Sequence, residues 1–497
     1  MNESKKIKRL LEIIPGGMSW CIIFSLIALA VFRPVAAAII IIVFDFYWII
    51  RTTYLTTLLV MAHRKLLKQK NRSWLSACER LFPKKDWSKI YHLVIFPVYK
   101  EGVEIIRASL EALKESHYPK EKMFVVVAFE QRYKPAVETA KILEDGFKSV
   151  FAGYLTTFHP DGLSGEKRLK GANATWAAKK AKELLLEQKI PLDQVIISCF
   201  DADTCVDREY FGCLTYHFLI NPKPHRASYQ PIPVYNNNIW YAPAFARIVE
   251  ISASFVQMIE SMRLEKFVTF SSHSMSFKTL IDIDYWPVDM ISDDSVVYWK
   301  AFIFYKGDYR VVPLYTVVSM DAAYSTNLFK TILMQYKQKR RWAWGVENFP
   351  FVVSRFINNP GIPWLKKVQR SFHLLESHVS WAIWATIMVV IAPLPILLGG
   401  FFFNQMPIGY NLPRITGMLL NFTLGTSIVW IILSWTILPA RPKGVKWIKN
   451  VMMIVEWVIV PFIVLILGSA PALDAQTRLL LGRYMEFFPT EKRRKVI

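Results

Sequence analysis

Asp201 and Asp203 follow the apolar run Val195-Ile196-Ile197-Ser198-Cys199-Phe200. Carboxylate oxygens suit a hard divalent cation, and Mg2+ or Mn2+ sites commonly use one or two carboxylates completed by substrate phosphates. In an extended segment, side chains two apart point to the same side, so the pair can share one ion. The bland alternative is a turn that happens to carry acids.

Three further groups have usable chemistry. Asp293 and Asp294 are adjacent, after a Trp-Pro segment and before the helical-looking stretch 295–304. Adjacent acids repel, which pushes one toward a base-like pKa, and a sugar hydroxyl needs a base to become a nucleophile. A helix N-cap is the competing reading, compatible with the first. Gln338-Lys339-Arg340-Arg341-Trp342 lies on a helical stretch starting near Leu328. Helical spacing puts Gln338 beside Arg341 and Trp342. An Arg can bind a diphosphate and a Trp can floor a sugar subsite; a basic juxtamembrane helix with a snorkelling Trp is the plainer account. Lys170-Gly171-Ala172-Asn173 stands in a loop ahead of a helix, where a Lys reaches phosphates or is merely solvated.

These groups need a scaffold. Short apolar runs at 93–96, 124–129 and 195–200 alternate with helical stretches at 103–116 and 173–187. That alternation predicts an α/β domain with a mostly parallel sheet. Ligands bind such sheets at the carboxyl ends of strands, where Asp201 and Tyr99 fall.

The chain has 497 residues, is 53% apolar and carries a formal charge of +22. The apolar residues gather at both ends. Runs at 18–32 and 35–50, extended to Gly16 and about Met61, predict a helical hairpin turning at Arg33-Pro34; alone, each falls short of the about 20 residues a span needs. Asp45 inside the second run is costly in lipid and is expected to make a structural hydrogen bond. Further runs cover 377–400, 415–438 and 447–470. Much of the basic excess flanks these runs (Lys5, Lys6, Lys8, Arg9; His63, Arg64, Lys65, Lys68, Lys70, Arg72; Arg441, Lys443, Lys446, Lys449), the pattern of cytoplasmic loops. No zinc-finger spacing or RNA-binding signature accompanies the charge, which argues against nucleic acid. Five cysteines without a CxxC read as buried thiols in a reducing compartment.

The resulting layout is a transmembrane hairpin at 1–61, a catalytic domain at 62–345, interfacial helices at 346–376, C-terminal transmembrane helices at 377–470 and an amphipathic basic tail at 471–497. Two spans before the domain and three after it put the C-terminus outside. The basic residues Lys492, Arg493, Arg494 and Lys495 prefer the inside. Either one run is not a full span, or 473–488 loops back along the surface.

The motif order resembles a membrane-embedded family 2 glycosyltransferase of the cellulose synthase and hyaluronan synthase type. Phe96-Pro97-Val98-Tyr99-Lys100-Glu101 is similar to the family's P-x-Y-N-E segment, with Lys100 in place of Asn. Lys170 and Asn173 match its K-A-G-N segment, Asp201-Ala202-Asp203 its D-x-D, and Tyr229-Gln230-Pro231 with Asn236 its Q-T-P segment. Asp294 matches the base of T-E-D, with Ser292 and Asp293 ahead of it, and Gln338, Arg341 and Trp342 match Q-x-x-R-W.

The resemblance implies a GT-A fold, a UDP- or GDP-sugar donor, a Mg2+ or Mn2+ cofactor and a glycan or lipid acceptor. It implies an inverting transfer with Asp294 as general base and Arg341 stabilising the leaving diphosphate. Tyr99, Glu101, Glu130, Lys170, Asp201, Asp203 and Gln338 would bind the donor, Asp203 and Asp201 the metal, and Trp342, His273 and Asp293 the acceptor. Glu130 stands where the family usually has an Asp that reads the nucleobase. His273, in Ser271-Ser272-His273-Ser274, is either an acceptor contact or a packed histidine. A processive polysaccharide synthase is the leading expectation, ahead of single transfer to a membrane lipid; a transporter or a non-catalytic scaffold comes well behind. The implied location is the plasma membrane, among its lipids, with the catalytic domain facing the cytosol.

Overall fold

The structure is a computed structural model and describes residues 2–81, 87–325 and 327–486. The basic residues 492–495 lie outside the described residues. The middle of the chain is built on one eight-stranded sheet, ordered β3-β2-β1-β4-β7-β6-β8-β5. Its strands are β1 (Tyr91–Val98), β2 (Met123–Glu130), β3 (Gly153–His159), β4 (Val195–Cys199), β5 (Cys205–Val206), β6 (Ala227–Val234), β7 (His273–Ser276) and β8 (Arg310–Ser319).

β1 to β4 are mutually parallel where they pair. β2 and β4 are buried along their whole length, because helices cover both faces of this half; hence their unbroken apolar runs. Lys170–Glu187 and Asp293–Phe304 pack on one face. Val103–Lys114, Ala136–Phe147 and Tyr210–Ile220 pack on the other. β7 runs antiparallel between β4 and β6, while β6 pairs parallel with β8. The fold is the expected α/β domain with apolar helices at both ends, and the reversed strand β7 brings the segment just before it to the end of β4.

Five helical runs are long and apolar enough to cross a membrane: Lys5–Phe32, Pro34–Lys70, Trp364–Ile391, Pro407–Thr436 and Ile448–Leu480. The first two form the hairpin. Arg33 leaves the helical conformation at φ −143°, and Pro34 opens the next helix, a position that suits a residue without an N–H. Asp45 is buried. Trp48 stacks on Trp384 with ring centroids 4.6 Å apart. The stretch 346–376 holds the helix Asn348–Ile357 and the first half of Trp364–Thr386. All five cysteines are free thiols; Cys78, Cys199 and Cys213 are buried as expected, whereas Cys205 is half-buried and Cys21 is exposed on the apolar first helix.

The last run is tied to the domain at both ends. Arg247 grips Glu456 through two bonds, Nε to Oε2 at 2.9 Å and Nη2 to Oε1 at 2.8 Å. Arg340 donates to Asp474 at 2.8 Å. Residues 471–480, read from sequence as tail, continue this helix and pack on the first one. Ser19 donates to Gln476 at 2.6 Å and Trp20 to Thr477 at 2.8 Å. A Cβ on Gly16 would stand 2.7 Å from the Gln476 carbonyl oxygen, so glycine permits that approach.

Candidate active site

The ends of β1, β2 and β4 open on one side of the sheet, and helix Lys170–Glu187 starts beside them. Asn173 fixes that helix by donating to the Ala128 carbonyl of β2 at 2.7 Å. Gly171 lets it come close: a Cβ there would lie 2.3 Å from the Pro287 carbonyl and 3.0 Å from Asp293 Cβ. Two residues of the Lys170-Gly171-Ala172-Asn173 motif therefore serve to deliver the first.

Lys170 Nζ lies 2.7 Å from Asp201 Oδ1 and 3.1 Å from Asp294 Oδ1. Burial works against its charge, but Asp201 and Asp294 outweigh it and hold the ammonium well above the usual lysine range. Ser271 donates to the other Asp201 oxygen at 2.6 Å. The next residue, Ser272, adopts φ 63°, a left-handed conformation that is uncommon and costly for a non-glycine residue. The Ser272 hydroxyl is bonded to Thr204 at 2.9 Å.

Asp294 stands in the first turn of Asp293–Phe304, where a helix favours negative charge. Thr269 donates to its backbone carbonyl at 2.6 Å. Behind it, His273 is 1% exposed. Its Nδ1 bonds the Phe270 carbonyl at 2.9 Å, and its Nε2 accepts from Trp286 at 3.4 Å. That is the pattern of a neutral ring, and burial lowers its pKa accordingly. His273 lies 3.7 Å from Asp294 as part of the wall. Asp293 is buried against Gly171, and its Oδ2 has no hydrogen-bond partner. Burial, then the neighbouring Asp294, pushes its carboxyl up to about 8.

Asp203 is fully buried. Its Oδ2 accepts from the Asp321 backbone N–H at 2.8 Å. Asn237 donates to the Asp203 carbonyl at 3.2 Å and to Asp321 at 2.9 Å. Tyr235 joins this group to helix Leu328–Ala343. Its ring lies 5.9 Å from that of Trp342. Burial, then Glu250, Asp201 and Asp203, pushes its phenol well above the ordinary value, while Arg341 pulls it down. One phenol thus senses both aspartates and the arginine. Lys339 sits over the Trp342 ring at 3.6 Å, and burial pushes it down to about 8 against the pull of Glu250. Gln338 is buried, and its Oε1 has no hydrogen-bond partner.

The outer side of the cleft is polar and tightly cross-linked. Glu101 accepts from the backbone N–H groups of Tyr99 and Lys100 at 2.8 and 3.1 Å, so it shapes the loop after β1. Glu130, at the end of β2, lies 3.3 Å from Arg132 Nε and 3.4 Å from His159 Nδ1. His159 also meets Glu166 at 2.8 Å. Burial disfavours the charged ring, but the hydrogen bonds it donates to Glu130 and Glu166 raise its pKa.

The structure therefore brings Lys170, Asp201 and Asp294 together, with Asp293 and His273 behind them. Trp342 lies against Tyr235, whose phenol feels the charges of Asp203 and Arg341, and Tyr99 and Glu130 meet around Arg132. Sequence reading missed Tyr235, Asn237, Asp321 and Arg132. None lies in a recognisable motif; only the fold collects them. Asn236, matched to a motif, donates instead to the Ile437 carbonyl at 3.1 Å.

Among the described residues no group of three or more His, Cys, Asp or Glu side chains could hold a metal. Asp201 opens part-exposed on the cleft and Asp203 lies fully buried two residues on; carboxylate oxygens of this kind suit a hard cation completed by substrate phosphates.

The sequence profile of the family described as "Glycosyl transferase family group 2" matches residues 196–468. No curated protein sequence matches the chain. Solved structures with a similar course include a mannosyltransferase from Pyrobaculum calidifontis in complex with GDP-Man and Mn2+. It shows 15% identity and a TM-score of 0.41, covering 77% of this chain and 98% of that one. Residues 1–349 of TarS from S. aureus in complex with UDP-GlcNAc show 13% identity and a TM-score of 0.37, covering 71% and 93%.

Proposed function

We propose that this chain, which belongs to glycosyl transferase family group 2, moves a sugar from a nucleotide-diphosphate donor to the hydroxyl of a growing glycan at a membrane surface. It is a glycosyltransferase; the donor class, acceptor and stereochemistry are our reading. The observation that carries the reading is the Lys170 ammonium, bonded to Asp201 on one side and Asp294 on the other. A cation for a diphosphate and a carboxylate for an acceptor hydroxyl are thereby adjacent.

In this reading the donor diphosphate lies across the ends of β4 and helix Lys170–Glu187. Lys170 and Arg341 take up the charge that grows on it as the glycosidic bond breaks, and such preorganised charge stabilisation is usually what lowers the barrier most. Mg2+ or Mn2+, held by Asp203 and Asp201, would supply further neutralisation of the diphosphate. Asp294 removes the proton from the acceptor hydroxyl, whose oxygen attacks the anomeric carbon from the face opposite the leaving group. The configuration inverts. Trp342 gives the acceptor ring an apolar face, with Tyr235 beside it, and Gln338 supports the donor side. Asp293 and His273 form the wall behind the base, Glu101 shapes the donor loop, and Tyr99 and Glu130 take the nucleoside. The basic clusters at 5–9, 63–72 and 441–449 support a cytosolic position for the domain.

The test is incubation of purified protein with radiolabelled UDP- and GDP-sugars and Mn2+ or Mg2+ in lipid nanodiscs. Long labelled polymer is the expected product. One sugar on a lipid would replace the polymerase reading with single transfer, and absence of transfer from every donor would remove the proposal.

A further inference from the structure

A groove far from the cleft opens between the two N-terminal helices and Trp364–Thr386. Its volume is about 270 Å3, and Met18, Phe44, Leu375, Val379, Ile383 and Trp384 give it a mostly apolar wall. One end is charged. Arg51 Nη1 donates to Glu376 Oε1 at 2.9 Å and to the Tyr47 hydroxyl at 2.7 Å. Lys266, from the catalytic domain, donates to the other Glu376 oxygen at 3.2 Å. Two cations thus share one carboxylate, and one positive charge stays in excess. Among the described residues Arg51 Nε and Nη2 make no hydrogen bond. The guanidinium rests against the rings of Tyr47 and Trp48, with centroids 5.8 and 5.4 Å away, so its free donors are held in place.

The depth of this end is set by the helices. Arg51 is 17 residues past Pro34 on Pro34–Lys70, about 26 Å along the helix, against roughly 30 Å for a hydrocarbon core. Glu376 stands just ahead of the apolar residues 377–391. Both therefore lie at headgroup level on the side of the catalytic domain. The groove runs inward from there, since Trp384 is eight residues past Glu376, about 12 Å along the helix. A bridge that only joined helix to domain would need one cation for its carboxylate and no apolar furrow beneath it.

We propose that this groove binds one anionic phospholipid, with an acyl chain along Phe44, Val379 and Ile383 and its phosphate on Arg51 and Lys266. The inference goes beyond sugar transfer and rests on the membrane placement of these helices. A guanidinium with two free donors matches phosphate oxygens, and basic pockets between membrane helices on the cytoplasmic side take anionic headgroups. A zwitterionic lipid brings the same phosphate, but its ammonium adds a repelling charge to an end already positive.

The test strips full-length protein of lipid in detergent, titrates it with phosphatidylglycerol or phosphatidylcholine and counts bound lipid by native mass spectrometry. One phosphatidylglycerol should bind about 5- to 30-fold more tightly than phosphatidylcholine, the preference that one or two cations confer. Arg51→Gln should bring phosphatidylglycerol down to the level of phosphatidylcholine and leave the latter unmoved. Ser380→Trp, which fills the groove, should weaken both. Phosphatidylglycerol with a photoreactive acyl chain should label Phe44 or Ile383 in the wild-type protein, a readout that needs no variant to fold. Equal binding of the two lipids overturns the proposal, as do labels confined to other helices or phosphatidylglycerol binding untouched by both substitutions. Failure of the protein to enter bilayer nanodiscs would instead remove the membrane placement beneath it.

Discussion

Lys170 and Asp294, 124 residues apart in the chain, meet with Nζ 3.1 Å from Oδ1. The contact forms because Gly171 lets its helix press on the 287–293 segment. A diphosphate at Lys170 would draw the ammonium toward phosphate oxygens and leave the carboxylate facing an acceptor. Removing the base should therefore separate chemistry from binding. We expect Asp294→Asn to lower transfer at least about 100-fold, the low end for a positioned general base, with donor affinity nearly unchanged. Turnover by single-turnover assay and affinity by calorimetry check this together, and strong residual turnover would remove Asp294 from the role.

Asp203 offers a second separation. Its buried carboxylate is oriented by the Asp321 N–H, and Asp201 is oriented by Lys170 and Ser271. Both are thus fixed before any ligand arrives. Excess chelator should stop turnover, and Mn2+ or Mg2+ should restore it. Asp203→Asn should need far more cation for half-maximal rate. Full activity in chelator would show that Lys170 and Arg341 suffice for the leaving group.

How much of this was legible in the sequence depended on which force set each residue's place. The strand ending at Asp201 was readable because burial on both faces leaves a bare apolar run. Lys170, Asp294 and Arg341 were readable because each sits in a short motif. Their convergence was not, since it depends on β7 running antiparallel beside β4, which leaves no local pattern. Tyr235 is packed by Trp342, far along the chain, and the place of His273 is set by Trp286 donating to it. The fifth apolar run illustrates the converse. Hydropathy marks it as a span, while its environment is set by two arginines far away.

Asp293 yields a pH dependence of stability. Burial, then Asp294, pushes its carboxyl up to about 8, against about 4 in an unfolded chain. Between those values the folded state binds a proton that the unfolded state does not, so stability falls as pH rises. Asp293→Asn removes the titration. The variant should match wild type near pH 4 and become the more stable of the two by pH 8. Thermal unfolding at several pH values in one lipid environment reads the crossover. Parallel curves for the two proteins would contradict it.

The last prediction concerns sidedness. Glu456 and Asp474 are 18 residues apart on the final apolar run, about 27 Å along a helix. That is close to the roughly 30 Å thickness of a bilayer's hydrocarbon core. Were the run a full span, the two acids would stand near opposite faces. Yet Arg247 holds the first and Arg340 the second, and their helices are joined by Gln335 donating to Glu250 at 2.9 Å. The end of the run also reaches the start of the first helix, where Arg9 donates to the Leu479 carbonyl at 2.7 Å. On these contacts the run is expected to lie along the base of the domain and return to its own side, with four crossings in all. Both termini should face the same side as the domain, which agrees with the basic residues at 492–495. A single cysteine placed after Ile497, in a chain with its native cysteines replaced, should label from the same side as one at Lys148 on the domain surface. Labelling from the opposite side would restore the fifth crossing. Asp474→Asn should then lower transfer by loosening Arg340, and with it the Arg341-Trp342 end of the helix, while nucleotide binding persists.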